Sequence, residues 1–397
     1  KYLLERKIKM QNFIFENPTK IIFGTGQIRR IGAEASRFGR KILLVYGQGS
    51  IKKNGVYEQV ILSLKENGLT VVEFPGVRSN PVLSHAVRGI EIAKREGIEA
   101  VLAVGGGSVI DTAKTIAAGA RTDHDVWDFF VYRQSIQEAL PVLTVVTVSA
   151  SASEMNAAAV ITKEEGRRKY SIRSLHVQPK VSVLDPTVLF SLDRKYSAYS
   201  AVDAITHMLE GYFNNTEPAS SPLQDRLVEG LMKTIMEATE RIIAAPDDYN
   251  ARAGMMWAAT LAFNGLTTAG MGQVALPVHM IEHSLSALYD VAHGAGLSIV
   301  LPGWMSRQVQ EKAGRFSRLA REVFGVTAAG NEEAARAGID ALRQWFVSIG
   351  SPISLTEAGI PAVDIERIAE NAAELAQVWG LKAYSRQEIA AVLELCR

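Results

Sequence analysis

At 397 residues the chain is long enough for two domains, and 47% hydrophobic with 21% charged residues is typical of a globular protein with a large core. Its 43 lysines and arginines are offset by 42 acidic residues, so the basic excess of a nucleic-acid-binding protein is absent. A single cysteine, Cys396, and no apolar run of about 18 residues predict a cytoplasmic protein without an intrachain disulfide or a membrane span.

The first nine residues carry charges at nearly every second or third position. They lack the apolar run of about 7 to 15 residues that a signal peptide requires. We therefore expect residues 1–9 to be an added or upstream segment, with the natural start at Met10.

Short β-branched runs alternate with amphipathic stretches in the first half of the chain. Strands are predicted at 41–47, 70–77, 99–107, 141–148 and 180–186, and helices at 55–68 and 83–97. Strands and helices that alternate at this spacing predict a Rossmann-like parallel sheet with helices on its faces. This α/β domain is expected to span residues 10–190.

The patterns become helical after a boundary at 187–193 and stay helical to the end of the chain. Clear examples are 220–245, 252–265 and 366–380. Trp257 lies in the second of these segments and is expected in the core. The sequence therefore predicts an all-helical domain at residues 191–397.

A triple-glycine turn follows the third predicted strand. Gly105, Gly106 and Gly107 lack a Cβ, and Ser108 opens the next helix. Such a turn lets backbone amides approach a phosphate, and the helix N-terminus favours the anion. The pattern is neither G-x-G-x-x-G nor a Walker loop, and a purely structural turn is the alternative. Three consecutive glycines are costly in chain entropy, so the phosphate site is preferred.

A second loop, after the first predicted strand, consists of Gly47, Gln48, Gly49 and Ser50 and is followed by Lys52 and Lys53. An acid at this point would accept the ribose hydroxyls of NAD and repel a phosphate. Small, hydroxyl-bearing and basic residues stand there instead, which favours NADP. Two solvated lysines beside a flexible turn are the alternative interpretation.

Two helical pairs could bind a metal ion. Asp203 and His207 are four residues apart, as are His279 and His283, so each pair lies on one helix face. A hydrogen-bonded pair or ordinary helix-face histidines are the alternatives. The second pair is not a zinc protease motif, because Met280 stands where that motif has its glutamate.

His293 can join these residues only if its helix is interrupted. His279 and His293 are 14 residues apart, about 21 Å along a straight helix. The intervening "YDVAHGAG" contains two glycines and an aspartate, and indicates a helix end. Three imidazoles and a carboxylate would suit Fe²⁺ or Zn²⁺.

Between Asn17 and Pro302 the chain resembles the iron-containing (group III) alcohol dehydrogenases, most closely the NADPH-dependent butanol dehydrogenase and aldehyde reductase branch. The matching segments are "NPTKIIFGTGQI", "YGQGSIKKNGV", "AVGGGSVIDTAK", "VLDPT", "VDAITHMLEGY", "MWAATLAFNGL" and "HMIEHSLSALYDVAHGAGLSIVLP". The resemblance implies an architecture shared with dehydroquinate synthase, and hydride transfer between NADP(H) and short to medium aliphatic aldehydes or alcohols. We expect a homodimer.

The resemblance also assigns residues. It implies that one divalent ion is held by Asp203, His207, His279 and His293, and that His283 lies beside the substrate, where it is a candidate proton relay. It implies a pyrophosphate cradle at Gly105–Ser108 and a nicotinamide near Asp111, the second candidate catalytic residue. The other expected cofactor contacts are Asn80, Thr147, Ser151 and Lys169. The segment "SASASE" at 149–154 departs from the family pattern "ATGSE".

Two rival functions are consistent with the same motifs. One is an NAD-dependent glycerol or 1,2-propanediol dehydrogenase, and the other is a metal-dependent lyase similar to dehydroquinate synthase. The lyase would need several lysines and arginines for an acidic, phosphorylated substrate. The segments "HMIEHSLSALY" and "MWAATLAFNG" contain neither residue, which favours the alcohol dehydrogenase.

Overall fold

The computed structural model describes residues 10–214 and 221–397, so the predicted added segment 1–9 lies outside the described residues. The strands are β1 (Lys20–Phe23), β2 (Lys41–Tyr46), β3 (Thr70–Phe74), β4 (Ala100–Gly105), β5 (Val142–Val146), β6 (Ala158–Lys163), β7 (Arg168–Arg173) and β8 (Val181–Leu184). The α-helices are α1 (Ile31–Ala35), α2 (Ser50–Lys53), α3 (Val56–Glu66), α4 (Leu83–Arg95), α5 (Gly107–Gly119), α6 (Trp127–Phe130), α7 (Arg194–Phe213), α8 (Pro222–Ala244), α9 (Tyr249–Ala262), α10 (Pro277–Tyr289), α11 (His293–Phe324), α12 (Asn331–Ser348), α13 (Ile365–Val378) and α14 (Arg386–Glu394).

The N-terminal half is built on a six-stranded parallel sheet in the order β1-β8-β5-β4-β2-β3. Strands β4, β5 and β8 are buried along their whole length, as expected for parallel strands covered on both faces. Tyr46 pairs with Val104, and Gly105 pairs with Val146. The loops that follow β2, β4 and β5 therefore meet at one edge of the sheet, and the predicted fold class is confirmed.

Three strands were not predicted from the sequence. Strand β1 has only four residues, and β6 and β7 form a separate antiparallel hairpin whose alternation is interrupted by charged residues. The expectation that Trp257 is a core residue is wrong. It is 41% exposed and packs edge-to-face against Phe23, with ring centroids 6.1 Å apart.

The C-terminal half is helical and is organised around α7. This helix is buried from Ser197 to Phe213 because α8, α9, α10 and α11 pack around it. Its buried face carries Asp203 and His207. Within the described parts of the chain, no helix has the length and apolar character needed to cross a membrane.

The helix end predicted in "YDVAHGAG" is confirmed. Helix α10 ends at Tyr289, Asp290 adopts a left-handed conformation with φ of 54°, and α11 begins at His293. Gly294 makes the return possible, since a Cβ there would lie 2.2 Å from the carbonyl oxygen of Tyr199. The start of α11 thus packs directly on α7, which brings His293 to Asp203.

Candidate active site

A cleft of about 450 Å³ lies between the carboxyl edge of the sheet and the helices α7, α10 and α11. This volume is in the range of small-molecule and cofactor sites. Fourteen of the predicted site residues line it: Gly47, Gln48, Ser50, Gly106, Gly107, Ser108, Asp111, Ser151, Lys169, Asp203, His207, His279, His283 and His293. The two predicted loops and the histidines therefore face one space.

Four other predicted contacts do not line the cleft. Gly105 is buried at the end of β4, where a Cβ would lie 2.4 Å from the Val109 side chain, and Gly49 precedes α2 with φ of 117°. The Asn80 amide group donates to Asp290 Oδ1 at 2.7 Å. The backbone of Thr147 donates to Gly105. All four residues adjoin residues that line the cleft, and their contact with the cofactor stays a prediction.

The metal-ligand candidates converge around Asp203 Oδ1. His279 Nε2 and His293 Nε2 each lie 3.6 Å from this oxygen, and His207 Nδ1 lies 3.2 Å from it. Ligand atoms of Asp203, His279 and His293 all lie within 4.8 Å of one another. The His207 ring is fixed beside them between His279 and Phe263, with both ring centroids at 4.2 Å.

These atoms fit a bound divalent ion. In the part of the chain that the structure describes, nothing forms a hydrogen bond with Asp203 Oδ1, His207 Nδ1 or His279 Nε2, although all three are buried. Buried polar atoms without partners are costly, and a metal ion would satisfy them together. Burial lowers the pKa of His207 to about 3, which keeps its imidazole in the neutral form that ligates metals.

Two buried glutamates orient the histidines, and sequence reasoning missed both roles. Glu210, one turn beyond His207 on α7, accepts a hydrogen bond from His279 Nδ1. Glu282 accepts one from His293 Nδ1. A carboxylate on the far nitrogen fixes the ring and its tautomer and leaves Nε2 free for a metal. The signal for Glu210 was present in the sequence as an acid on the same helix face as Asp203 and His207.

His283 lies in the cleft next to the metal-ligand candidates. Its Nδ1 donates to the carbonyl oxygen of Lys169 at 3.0 Å, and its ring meets Trp379 edge-on with centroids 5.5 Å apart. Because a carbonyl only accepts, Nε2 is left as the unprotonated nitrogen. Burial, reinforced by the Lys169 charge, holds the pKa of His283 well below its ordinary value.

Lys169 reaches the cleft from the unpredicted hairpin. Its Nζ lies 3.2 Å from Asn80 Oδ1 and 3.7 Å from Glu282 Oε2, so its charge is countered. The segments "HMIEHSLSALY" and "MWAATLAFNG" contain no Lys or Arg, but the cleft as a whole contains both, because Lys169 and Arg78 also line it.

The glycine turn has the form of a phosphate cradle. Helix α5 begins at Gly107, one residue before the predicted Ser108, and its first amides lie at the cleft. A Cβ on Gly106 would lie 2.8 Å from Val148, and a Cβ on Gly107 would lie 2.5 Å from Ser151 Oγ. Only glycine leaves this space open, and the helix N-terminus favours an anion there.

Asp111 and Lys114, one turn apart on α5, hold the segment that departs from the family pattern. Asp111 accepts hydrogen bonds from Ser153 Oγ at 2.7 Å and from the Val160 amide at 3.0 Å. The buried Lys114 ammonium donates to Ser153, Asn156 and Ala158 at 2.7 to 3.2 Å. Both oxygens of Asp111 are thus engaged in supporting the cleft wall, and Lys114 was missed by sequence reasoning.

The fold and the cleft define a two-domain protein in which a parallel α/β sheet with a glycine turn faces a helical domain with a buried His-Asp cluster. A model of the iron-containing alcohol dehydrogenases matches residues 18–186, and a model of the C-terminal region of the Fe-containing alcohol dehydrogenase family matches residues 197–396. The chain belongs to the iron-containing alcohol dehydrogenase family, as the sequence motifs predict.

Three similar proteins lie in the butanol dehydrogenase and aldehyde reductase branch of the family. The probable NADH-dependent butanol dehydrogenase 1 of Bacillus subtilis (strain 168) is 40% identical, and the match covers 97% of this chain and 99% of that protein. The NADPH-dependent aldehyde reductase YqhD of Escherichia coli (strain K12) is 35% identical, with 92% and 94% covered. The crystal structure of NADH-dependent butanol dehydrogenase A from Thermotoga maritima is 46% identical, with a TM-score of 0.94 and 98% and 99% covered.

Proposed function

We propose that the chain is a metal-dependent, NADP(H)-linked alcohol dehydrogenase or aldehyde reductase that interconverts short to medium aliphatic alcohols and aldehydes. Asp203, His207, His279 and His293 would hold the ion. When bound, Fe²⁺ or Zn²⁺ would supply a Lewis acid for the carbonyl oxygen, and the nicotinamide would carry the hydride. The observation that carries the proposal is that unpaired metal-ligand atoms and a glycine-lined helix N-terminus face the same cleft.

His283 is the proposed proton relay at this site. It is neutral, and its Nδ1–H bond to the Lys169 carbonyl leaves Nε2 as the proton-accepting atom. This nitrogen can take the hydroxyl proton of an alcohol in the oxidation direction and return one in the reduction direction. The ring is held in place by Trp379, so the relay needs no rearrangement of the helix.

The proposal includes a cytoplasmic homodimer with a small aldehyde or alcohol as the only other partner. The described chain opens with an exposed apolar run, in which Phe13 is 51% and Ile14 is 94% exposed. An exposed patch of this kind is typical of a surface that a second protein covers.

Substrate charge separates the proposal from the lyase rival. Lys169 is already paired with Glu282, so this cation is not free to pair with a carboxylated substrate beside the metal ligands. Burying an unpaired carboxylate costs several kcal/mol, and about 2.7 kcal/mol corresponds to a hundredfold. We expect kcat/KM for butyraldehyde to exceed that for succinate semialdehyde, which has the same chain length, by about a hundredfold or more. Equal use of the two aldehydes would contradict the proposal.

The NADP(H) preference is proposed from the loop Gly47–Ser50. This loop presents no carboxylate to the cleft, and charge-assisted hydrogen bonds to a 2′-phosphate contribute about 1.5 to 3 kcal/mol each. A side chain fits at Gly47, since a Cβ there would lie 3.6 Å from the nearest atom, the Val77 carbonyl oxygen. We expect Gly47→Asp to lower the ratio of kcat/KM for NADPH to that for NADH about tenfold or more.

The matched control is Gly47→Asn, which has the same shape without the charge. It should leave the ratio within about twofold to threefold of the parent. If both variants shift the ratio equally, the effect is steric and the loop does not read the phosphate charge.

A further inference from the structure

A small polar cluster lies beside the cleft loop, at the neighbouring edge strand. Glu73, in β3, accepts a hydrogen bond from the Tyr46 hydroxyl at 2.6 Å and from the Tyr57 hydroxyl at 2.7 Å. Tyr46 is the last residue of β2 and is almost completely buried, so it directly precedes the loop that begins at Gly47. The carboxylate is therefore fixed next to this loop by two hydroxyl donors.

Lys52 is held in the same cluster. Its Nζ lies 3.7 Å from Glu73 Oε2, 4.4 Å from the centre of the Tyr57 ring and 5.2 Å from that of Tyr46. The hydrogen bonds from Tyr46 and Tyr57 lower the pKa of Glu73, so this carboxyl is ionised at neutral pH. Lys52 and Glu73 form an ion pair with no net charge.

The position of this pair relates it to cofactor choice. Lys52 lies in the short helix α2, which begins at Ser50, and Ser50 lines the cleft. The loop Gly47–Ser50 itself contains no acid. Glu73 was not predicted from the sequence, because it comes from the next strand and not from the loop. We propose that Glu73 is a specificity-determining residue that weakens recognition of the cofactor's 2′-phosphate by neutralising and holding Lys52. This inference rests on the proposed cofactor site.

The size of the effect follows from the exposure of the pair. The side chains of Lys52 and Glu73 are 46% and 40% exposed, so water screens their attraction and neither is needed for the fold. Removing the negative charge of Glu73 releases Lys52 from its partner, so that the ammonium is available to the dianionic 2′-phosphate. At water-like dielectric two unit charges about 4 Å apart interact by about 1 kcal/mol, which corresponds to about fivefold in affinity.

The test measures binding of two redox-inactive probes, 2′,5′-ADP and 5′-AMP, which differ only in the 2′-phosphate, by isothermal titration calorimetry. The readout is the ratio of their dissociation constants, which isolates the 2′-phosphate and does not depend on turnover or metal content. Glu73→Gln should raise the preference for 2′,5′-ADP about threefold to tenfold. Lys52→Met should lower it by a similar factor, and in the Lys52→Met background Glu73→Gln should have at most a small effect.

Two further variants separate this mechanism from a general change in surface charge. Glu58→Gln removes an exposed acid from the neighbouring helix α3 and should leave the ratio unchanged. Tyr57→Phe removes one of the two hydroxyls that hold Glu73 and should give a smaller rise than Glu73→Gln.

The inference is overturned if Glu73→Gln leaves the ratio unchanged, if Glu58→Gln raises it as much, or if the effects of Glu73→Gln and Lys52→Met are additive. Failure of the proposed function has a different signature: the parent protein would not reduce aliphatic aldehydes with either nicotinamide cofactor, whatever the probe ratios. A parent that binds 5′-AMP as tightly as 2′,5′-ADP but responds to Glu73→Gln supports the inference and contradicts only the proposed NADP(H) preference.

Discussion

Replacing His279 with alanine is expected to remove the divalent ion and abolish turnover while the fold survives. His279 Nε2 is one of the unpaired atoms around Asp203, and its loss removes one of the four proposed ligands from the centre of the cluster. Lewis-acid stabilisation is worth several kcal/mol, so kcat should fall about a thousandfold or more. Mass spectrometry measures whether the metal is lost, and the circular dichroism spectrum shows whether the fold is retained.

The matched control is His283→Ala, four residues along the same face of α10. His283 Nδ1 donates to a backbone carbonyl, and the candidate ligand atoms that His283 lies close to are those of Glu282 and His293, not that of Asp203. This variant should keep about one ion per chain and lose rate only, by about 10²- to 10⁴-fold. If the His283→Ala variant loses the metal, His283 is itself a ligand. If the His279→Ala variant keeps stoichiometric metal and activity, the assignment of His279 as a ligand is wrong.

Helical spacing, which is a local property, drew attention to these side chains in the sequence, and the family resemblance selected the four ligand candidates among them. Asp203 and His207 are one turn apart, and the glycines around His293 indicate where the helix must end. Residue spacing does not show that Gly294 allows α11 to pack on the backbone of Tyr199, and this contact is known only from the structure. The contact joins two segments that are nearly a hundred residues apart in the sequence.

The missed residues have a common physical cause. Glu73, Lys114 and Glu210 have their partners on other elements: Lys52 in α2, the segment after β5, and His279 on α10, respectively. A periodic pattern shows which face of an element is buried, but it does not show what that face meets. The hairpin β6–β7 was not predicted because apolar and polar residues alternate only weakly along its strands. The sequence therefore did not show how Lys169, which lies on β7, reaches the cleft.

The catalytic role of Asp111 stays a prediction. The family resemblance implies a place near the nicotinamide, and Asp111 does line the cleft. Both of its oxygens are nevertheless occupied by Ser153 and Val160. Burial raises the pKa of Asp111 to about 6, while Lys114 and these hydrogen bonds oppose the rise. Its contacts are those of a residue that positions the wall of the cleft.

Glu210→Gln is expected to weaken metal binding about tenfold to a hundredfold without removing any ligand. Glu210 is fully buried and accepts three hydrogen bonds, from His279 Nδ1 and the His279 amide through Oε2 and from the Val278 amide through Oε1. A glutamine has the same shape but only one accepting oxygen, so its NH₂ group must face a donor at one of these two positions. His279 would then lose its orienting partner or the start of α10 would lose its anchor, and changes of this kind typically cost 10- to 100-fold in metal affinity.

The affinity is measured by competition with a chromophoric chelator, and the matched control is Glu229→Gln. Glu229 is also buried, and its change to glutamine also preserves the shape of the side chain. However, its carboxylate accepts hydrogen bonds from Tyr212 and Arg318 and not from a histidine. Glu229→Gln should reduce stability and leave metal affinity unchanged, whereas Glu210→Gln should reduce affinity and regain most of its turnover at saturating metal. Unchanged affinity in Glu210→Gln, or an equal loss in Glu229→Gln, would show that the glutamate supports the fold and does not orient His279. The difference in metal affinity between the two variants therefore measures how much the carboxylate that orients His279 contributes to metal binding, beyond the histidine itself.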